Sequence, residues 1–177
     1  MAHLSLGIDC GSTTTKGALY DGQQVVKTIL LPTAARPQQR MEQIYNAMYS
    51  PDVGYVVATG YGRDLLPQAD KRVTEITCHA KGASYLCPSI RGVVDIGGQD
   101  SKAMVFNEQM HMWNYKMSGI CAAGTGAFLD SVAIKLNVPV EEMADRANYG
   151  SDLEFSSVCA VLSATSINKF KNRFPMG

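Results

Sequence analysis

The fold is decided by the stretch Gly7-Ile-Asp-Cys-Gly-Ser-Thr-Thr-Thr-Lys16, in which an apolar strand pattern ends at an acidic residue and a glycine turn. The second half of the chain carries a related stretch, Val94-Asp-Ile-Gly-Gly-Gln-Asp-Ser-Lys102. One constant offset superimposes three identical residues: Asp9 on Asp95, Gly11 on Gly97, and Lys16 on Lys102. Because both stretches lie between a first and a second strand pattern, these identities predict an internal duplication.

Strand and helix patterns alternate along both copies and predict an α/β fold. In the first copy, apolar runs predict strands at 3–8, 16–20, 23–31 and 53–58, and helical periodicity predicts helices at 37–49 and 74–86. In the second copy, strands are predicted at 92–96, 103–106 and 109–117, then helices within 119–132 and from residue 139, with a candidate strand at 153–155. We therefore predict a first lobe over 1–90 and a partial second lobe over 91–177.

The composition is that of a globular protein that has no strong charge bias. Of 177 residues, 46% are hydrophobic and 18% are charged, and the 16 basic residues balance the 16 acidic ones. We expect no nucleic-acid partner and no membrane partner, since no run approaches about 20 apolar residues. The N-terminus lacks a signal-peptide pattern, so we predict a cytoplasmic protein. Five cysteines without close pairing favour reduced thiols or metal ligands over a disulfide framework.

The repeated turns carry residue types that bind phosphate and magnesium. Glycine lets the backbone approach a ligand closely, and successive N–H groups in such turns form a concave anion site. A carboxylate at each strand end, Asp9 and Asp95, suits Mg²⁺, commonly through water. Two such hairpins that face each other would bind the phosphates and the metal of one nucleotide. The candidate nucleotide-binding residues are Gly11, Ser12, Thr13, Thr14 and Lys16 in the first turn and Gly97, Gly98, Gln99 and Asp100 in the second.

Two other nucleotide motifs are excluded or incomplete. No G-x-x-x-x-G-K-[ST] occurs, so the nucleotide-binding motif is not a P-loop. Gly124-Thr-Gly126 would begin a G-x-G-x-x-G, but Leu129 occupies the position of the third glycine. A dinucleotide-binding fold is therefore poorly supported.

The glycine-rich stretch that follows Cys121 predicts the start of a helix whose apolar face comprises Phe128, Leu129, Val132 and Leu136. Glycines at a helix start allow backbone N–H groups to approach an anion. Gly124, Thr125 and Gly126 are therefore further candidate nucleotide-binding residues. From the residues alone Cys121 has three interpretations: a packed core thiol, an incidental thiol beside a phosphate site, or a metal ligand.

Five motifs, in order, resemble those of one family. They are Gly7–Lys16, Ala58-Thr-Gly-Tyr-Gly-Arg63, Glu75-Ile-Thr-Cys-His79, Val94–Lys102 and Cys121-Ala-Ala-Gly-Thr-Gly126. The two hairpins resemble the phosphate motifs of the actin and sugar-kinase superfamily. The whole set resembles the ATP-dependent activators of 2-hydroxyacyl-CoA dehydratases and the related benzoyl-CoA reductase subunits, the BadF/BadG/BcrA/BcrD ATPases. This resemblance extends to Cys159 and implies a duplicated actin-like, or ribonuclease H-like, fold.

The resemblance implies a homodimer that shares one [4Fe–4S] cluster, with Cys121 and Cys159 as the two ligands from each subunit. It also implies that ATP hydrolysis with Mg²⁺ drives the transfer of one electron to a 2-hydroxyacyl-CoA dehydratase or a related acyl-CoA enzyme. Reduced ferredoxin or flavodoxin would be the electron donor. The number of thiols agrees with a shared cluster. Four thiolates hold a [4Fe–4S] cluster, and a two-fold dimer can supply four from two cysteines per chain.

The chain departs from the family pattern at two places. Ser118-Gly-Ile120 replaces a polar run before the first cysteine, and Leu162-Ser-Ala-Thr-Ser-Ile-Asn168 replaces the Phe-Ala-Glu-Ser-Glu-like residues after the second. In the family, further second-lobe strands and an adenosine-binding turn would follow, so we expect an incomplete second lobe. Two other functions stay open: a sugar-kinase-like phosphotransferase, and an inactive nucleotide-binding remnant.

Two further groups of residues carry weaker signals. Tyr61 and Arg63 belong either to a ligand loop or hinge, or to a plain strand-to-helix turn. We expect packing roles for Cys10, Cys78 and Cys87.

Overall fold

The structure, a computed structural model, describes residues 4–107, 112–118, 125–149, 163 and 165–169. The chain divides into two compact units, Met1–Val93 with Met104–Trp113, and Val94–Ala103 with Asn114–Gly177. The elements of the first copy are β1 (Leu4–Cys10), β2 (Thr14–Tyr20), β3 (Val25–Pro32), α1 (Pro37–Met48), β4 (Val53–Gly60), β5 (Lys71–Arg72) and α2 (Glu75–Leu86). Those of the second are β6 (Gly92–Ile96), β7 (Ser101–Phe106), β8 (Met112–Met117), α3 (Gly126–Leu136) and α4 (Met143–Ala147).

The first sheet has the strand order β3-β2-β1-β4-β5. The first three strands in sequence form an antiparallel meander, and β4 then pairs with β1 in parallel. A parallel connection needs a crossover, and α1 supplies it. This arrangement brings the ends of β1 and β4 together, since Cys10 is the partner of Gly60 in the register.

One face of the first sheet packs on α1. Alternate residues of β1, namely Leu6, Ile8 and Cys10, are buried, as period-two alternation requires. On α1, Met41, Ile44 and Met48 follow helical spacing and are buried in the same core. Burial of each such large side chain stabilises the fold by about 1.5–3 kcal/mol. The opposite face of β1 carries Asp9, which is only partly buried.

Helix boundaries in the first copy follow local chemistry. Pro37 is the first residue of α1, where a missing N–H costs nothing. Thr74 caps α2 by accepting a hydrogen bond from the Thr77 N–H. At the other end of α2, the Tyr85 hydroxyl donates to the Gln23 carbonyl at 2.6 Å.

The second sheet has the order β6-β7-β8. Met104 and Phe106 of β7 are buried together with Ala80 in a small apolar cluster. Helix α3 ends at Leu136 and is capped by Asn137, which adopts a left-handed conformation with φ +56°. Asparagine is one of the few residues that tolerate this conformation at a helix end.

The observed elements confirm the α/β prediction. All the strands predicted within the described residues are present, and the helices predicted at 37–49 and 74–86 are α1 and α2. The predicted strand at 109–117 is described over Met112–Met117, while 153–155 lies outside the described residues. The division into lobes at residue 90 stays a prediction.

Three details differ from the predictions. The sequence pattern did not predict β5 or a 3₁₀ turn at Arg63–Leu65. In α3 the buried residues are Val132 and Ala133, whereas Leu129 is exposed, so the predicted apolar face is only partly buried. Across the described ranges, no helix has the length and apolar character needed to span a membrane.

Candidate nucleotide-binding turns

The first turn connects β1 to β2 over Gly11–Thr13. The Gly11 N–H donates to the Thr14 carbonyl at 3.1 Å and closes the hairpin. Ser12 and Thr13 at its tip are exposed residues, so a ligand can approach the turn. The structure therefore brings together all the residues predicted for this site in one short hairpin.

Asp9 and Lys16 are cross-strand partners on the face of the sheet opposite α1. They are paired in the β1–β2 register, and Lys16 Nζ lies 3.2 Å from Asp9 Oδ2. The side chains are 23% and 43% exposed, so a ligand can reach both. A carboxylate with an ammonium beside it can take part in binding a metal and a phosphate oxygen of the same ligand.

A buried polar network fixes the other face of this turn. Thr33, just after β3, donates from its hydroxyl to the Gly11 carbonyl at 2.8 Å, and its N–H donates to the Thr13 carbonyl at 2.9 Å. Thr15 Oγ1 lies 2.9 Å from Thr33 Oγ1 and 3.7 Å from Cys10 Sγ. Thr33 thus holds both ends of the turn, a role that no local sequence pattern indicates.

Cys10 is a core residue, as predicted. It is buried beneath the turn, and this burial raises the pKa of its thiol above the ordinary value of 9.0. The thiol therefore remains protonated at neutral pH.

The loop after β4 packs on the end of β1. Gly60 has φ +83°, and a Cβ there would overlap Asp9 Oδ1 and lie 2.5 Å from the Cys10 carbonyl oxygen. The Gly62 N–H donates to that same carbonyl at 3.0 Å, and Arg63 Nη1 donates to the Gly60 carbonyl at 3.2 Å. The motif that contains Tyr61 and Arg63 therefore belongs to the surroundings of Asp9. In the sequence, the Gly-x-Gly directly after a buried strand pattern indicates such a close approach of the loop.

The second turn lies between β6 and β7. The Gly97 N–H donates to the Asp100 carbonyl at 2.8 Å, the equivalent of the bond that closes the first hairpin. Lys102 is only 3% exposed, and its Nζ lies 2.5 Å from Asp100 Oδ1 and 3.7 Å from Asp95 Oδ2. The acidic and basic residues predicted here thus form one charged cluster, in which the lysine is far more buried than Lys16.

The start of α3 contacts this second turn. The Gly126 N–H donates to the Gly97 carbonyl at 2.8 Å, and a Cβ on Gly126 would lie 3.4 Å from the same oxygen. Thr125, the N-cap residue of α3, is fully buried. The helix begins at Gly126, further along the chain than the start near Cys121 that the glycine-rich stretch suggested.

The predicted cluster ligands lie outside the described residues, as does Gly124. Of the other cysteines, Cys10 is buried, Cys78 is half-buried and Cys87 is exposed. Within the part of the chain that the structure describes, no three His, Cys, Asp or Glu side chains form a group that could hold a metal ion. Cys121 and Cys159 therefore remain predicted ligands.

The chain matches a family of ATPases along nearly its whole length. The model of the family described as "BadF/BadG/BcrA/BcrD ATPase family" matches residues 6–173. The "Activator of lactoyl-CoA dehydratase" of Anaerotignum propionicum is 36% identical over 170 residues, which are 92% of this chain and 66% of that protein. The "(R)-2-hydroxyglutaryl-CoA dehydratase activating ATPase" of Acidaminococcus fermentans is 39% identical over 175 residues, 94% of this chain and 67% of that protein.

A solved structure shows the same architecture. The activator of the 2-hydroxyisocaproyl-CoA dehydratase from Clostridium difficile, with bound ADPNP, superimposes with a TM-score of 0.84 at 32% identity. The match covers 97% of this chain and 67% of that one. The predicted actin-like fold class is thereby confirmed. This chain spans about two thirds of the length of the relatives it matches.

Proposed function

The chain belongs to the BadF/BadG/BcrA/BcrD ATPase family, and we propose that it is an ATP-dependent iron–sulfur activator that transfers a single electron to a 2-hydroxyacyl-CoA dehydratase or a related acyl-CoA enzyme. The observation that carries the proposal is the family match over residues 6–173, because it includes both Asp–Lys turns and both predicted cluster cysteines.

MgATP is the proposed ligand of the two turns. The backbone N–H groups of the exposed residues Ser12 and Thr13 suit phosphate oxygens, and in the second turn the N-terminus of α3 adds its partial positive charge. Asp9 and Asp95 are partly exposed at 23% and 21%, as carboxylates that bind hydrated Mg²⁺ should be. The bound nucleotide that a relative's structure contains supports this assignment.

The proposed cluster ligands are Cys121 and Cys159 in a homodimer. The donor chemistry fits, since thiolates are the usual ligands of such clusters and the family resemblance assigns these two cysteines, whereas Cys10 is buried in the core. Two separated thiols per chain then supply the four thiolates of a [4Fe–4S] cluster across a two-fold axis. When bound, the cluster supplies a one-electron carrier. We further propose that reduced ferredoxin or flavodoxin delivers the electron, in the cytoplasm.

The experiment joins nucleotide binding to the redox state. The full chain is reconstituted anaerobically with iron and sulfide, reduced, and titrated with MgATP while its electron paramagnetic resonance spectrum is recorded. We expect MgATP to bind, to be hydrolysed and to change the spectrum of the reduced protein. Addition of (R)-2-hydroxyglutaryl-CoA dehydratase then tests the class of partner.

Matched variants show which residues are responsible. Asp9→Asn removes the carboxylate of the first turn and should weaken MgATP binding at least tenfold, by roughly the loss of one charge-assisted contact. Asp52→Asn makes the same chemical change in an exposed turn before β4 and should leave binding unchanged. Loaded wild-type protein that neither binds MgATP nor changes its spectrum would contradict an ATP-coupled activator.

A further inference from the structure

Thr59 is a buried residue whose hydroxyl lacks a partner in the described part of the chain. It lies near the end of β4 and is 8% exposed. Its Oγ1 has no hydrogen-bond partner among the described residues. A buried hydroxyl without a partner is costly, and native proteins rarely retain one that no ligand or water satisfies.

The position of Thr59 places that hydroxyl at the first turn. In the parallel pairing of β1 and β4, Thr59 is the register partner of Asp9. Neighbouring strands lie about 4.8 Å apart, and aligned residues project from the same face of the sheet. The next residue, Gly60, packs on the Asp9 carboxylate. The hydroxyl and the carboxylate therefore belong to one site.

The same face of β4 accepts an apolar side chain beside this position. Val57 lies two residues earlier on that face and is half-buried, and valine has nearly the volume of threonine. The strand therefore retains a hydroxyl where an apolar residue would fit. Such a residue makes sense if its partner arrives with the ligand.

We propose that Thr59 is a further MgATP-binding residue, whose hydroxyl hydrogen-bonds an oxygen of the hydrated MgATP held at Asp9. This inference rests on the proposed function of the first turn. The oxygen is either a phosphate oxygen or a water molecule on the magnesium, and the two differ in whether magnesium is required.

The test measures stability and binding in the same variants of the full chain. Thr59→Val removes the hydroxyl and keeps the shape. We expect the melting temperature of the nucleotide-free variant to be unchanged or higher, by about 2–4 °C. We expect its Kd for MgATP to rise roughly tenfold. A gain in stability together with a loss of binding is not what a purely structural residue would give.

Two further variants serve as controls. Thr59→Ser keeps the hydroxyl and should retain near wild-type affinity, although it loses a methyl group and some stability. Thr28→Val makes the valine change on exposed β3 and should affect neither quantity. Binding of ATP in the presence of a chelator distinguishes a phosphate oxygen from a magnesium-bound water as the partner of the hydroxyl. An effect of Thr59→Val with and without magnesium identifies a phosphate oxygen, and an effect with magnesium alone identifies a metal-bound water.

Three results would overturn the inference. A lower melting temperature for Thr59→Val would show that the hydroxyl already has a partner in the nucleotide-free protein. An unchanged Kd of Thr59→Val for ATP, both with and without magnesium, would show that Thr59 does not bind the nucleotide. The proposed function would be unaffected by that result. Failure of the wild-type chain to bind MgATP would overturn the proposed function and the inference together.

Discussion

The Gly60→Ala substitution tests whether the loop after β4 is packed on the carboxylate of the first turn. A Cβ at this position would overlap Asp9 Oδ1 and lie 2.5 Å from the Cys10 carbonyl oxygen, at a φ of +83°. Gly22→Ala is the matched control, because Gly22 has φ +96° and none of the described atoms lies within 4 Å of its added Cβ. Both changes impose a left-handed backbone on alanine, and only Gly60→Ala adds a steric overlap.

The two expected magnitudes follow from these contacts. A left-handed conformation costs a non-glycine residue about 1–2 kcal/mol. The reduced freedom of the unfolded chain offsets about 0.4–1 kcal/mol of that cost. Gly22→Ala should therefore lower the free energy of unfolding by about 0–1.6 kcal/mol. At Gly60 the backbone must also move away from Asp9 and Cys10, which adds about 1–3 kcal/mol, for a total of about 1–5 kcal/mol.

Urea denaturation followed by far-UV circular dichroism measures both free energies of unfolding under the same conditions. The Gly60→Ala protein should also bind MgATP more weakly than the Gly22→Ala protein, because the overlap displaces the Asp9 carboxylate. Equal losses of stability at the two positions would refute the reasoning. The loop after β4 would then not be packed on Asp9 in solution.

The remaining predictions concern the charged clusters and the buried network beneath the first turn. Lys102→Met removes the nearly fully buried cation that lies beside the Asp95 and Asp100 carboxylates. It should lower the free energy of unfolding by about 3 kcal/mol, as measured by urea denaturation. Lys16→Met at the more exposed pair should cost less than about 1 kcal/mol, and similar losses would contradict the difference in burial. Thr33→Val leaves the Gly11 carbonyl without its donor and should cost about 1–3 kcal/mol, most of which Thr33→Ser should restore. Because burial raises the pKa of the Cys10 thiol, folding stability should fall as the pH rises above 9.0, and alkylation of this thiol in the native protein should be much slower than that of exposed Cys87. Mass spectrometry of the labelled peptides checks this, and equal rates would show that the core is open.

The sequence predicted the elements that local patterns encode. Apolar runs that end at Asp-x-Gly predicted the β1–β2 hairpin and its second copy to within about two residues, because strand alternation and turn chemistry are both local. The short strand β5 was missed since Lys71 and Arg72 are polar and exposed and show no alternation. In α3 the helical period was correct, but tertiary packing decided that Leu129 is exposed.

The surroundings of Asp9 could be predicted only in part. Lys16 follows a tight turn in sequence, so its pairing with Asp9 was accessible from local spacing. Thr59 and Gly60 reach Asp9 through the parallel pairing of β1 with β4, and Thr33 reaches the turn from the end of β3. Such contacts join distant parts of the chain, and no local period or turn signal encodes them.

The most direct test of the central claim is the iron content of the anaerobically reconstituted protein in the wild-type chain and three cysteine variants. A [4Fe–4S] cluster shared by two subunits requires about two iron atoms and two sulfides per chain, with a dimeric mass. Cys121→Ala and Cys159→Ala should each abolish this iron, while Cys87→Ala, which changes an exposed thiol, should retain it. A wild-type chain without iron, or iron that persists in both of the first two variants, would contradict the iron–sulfur activator.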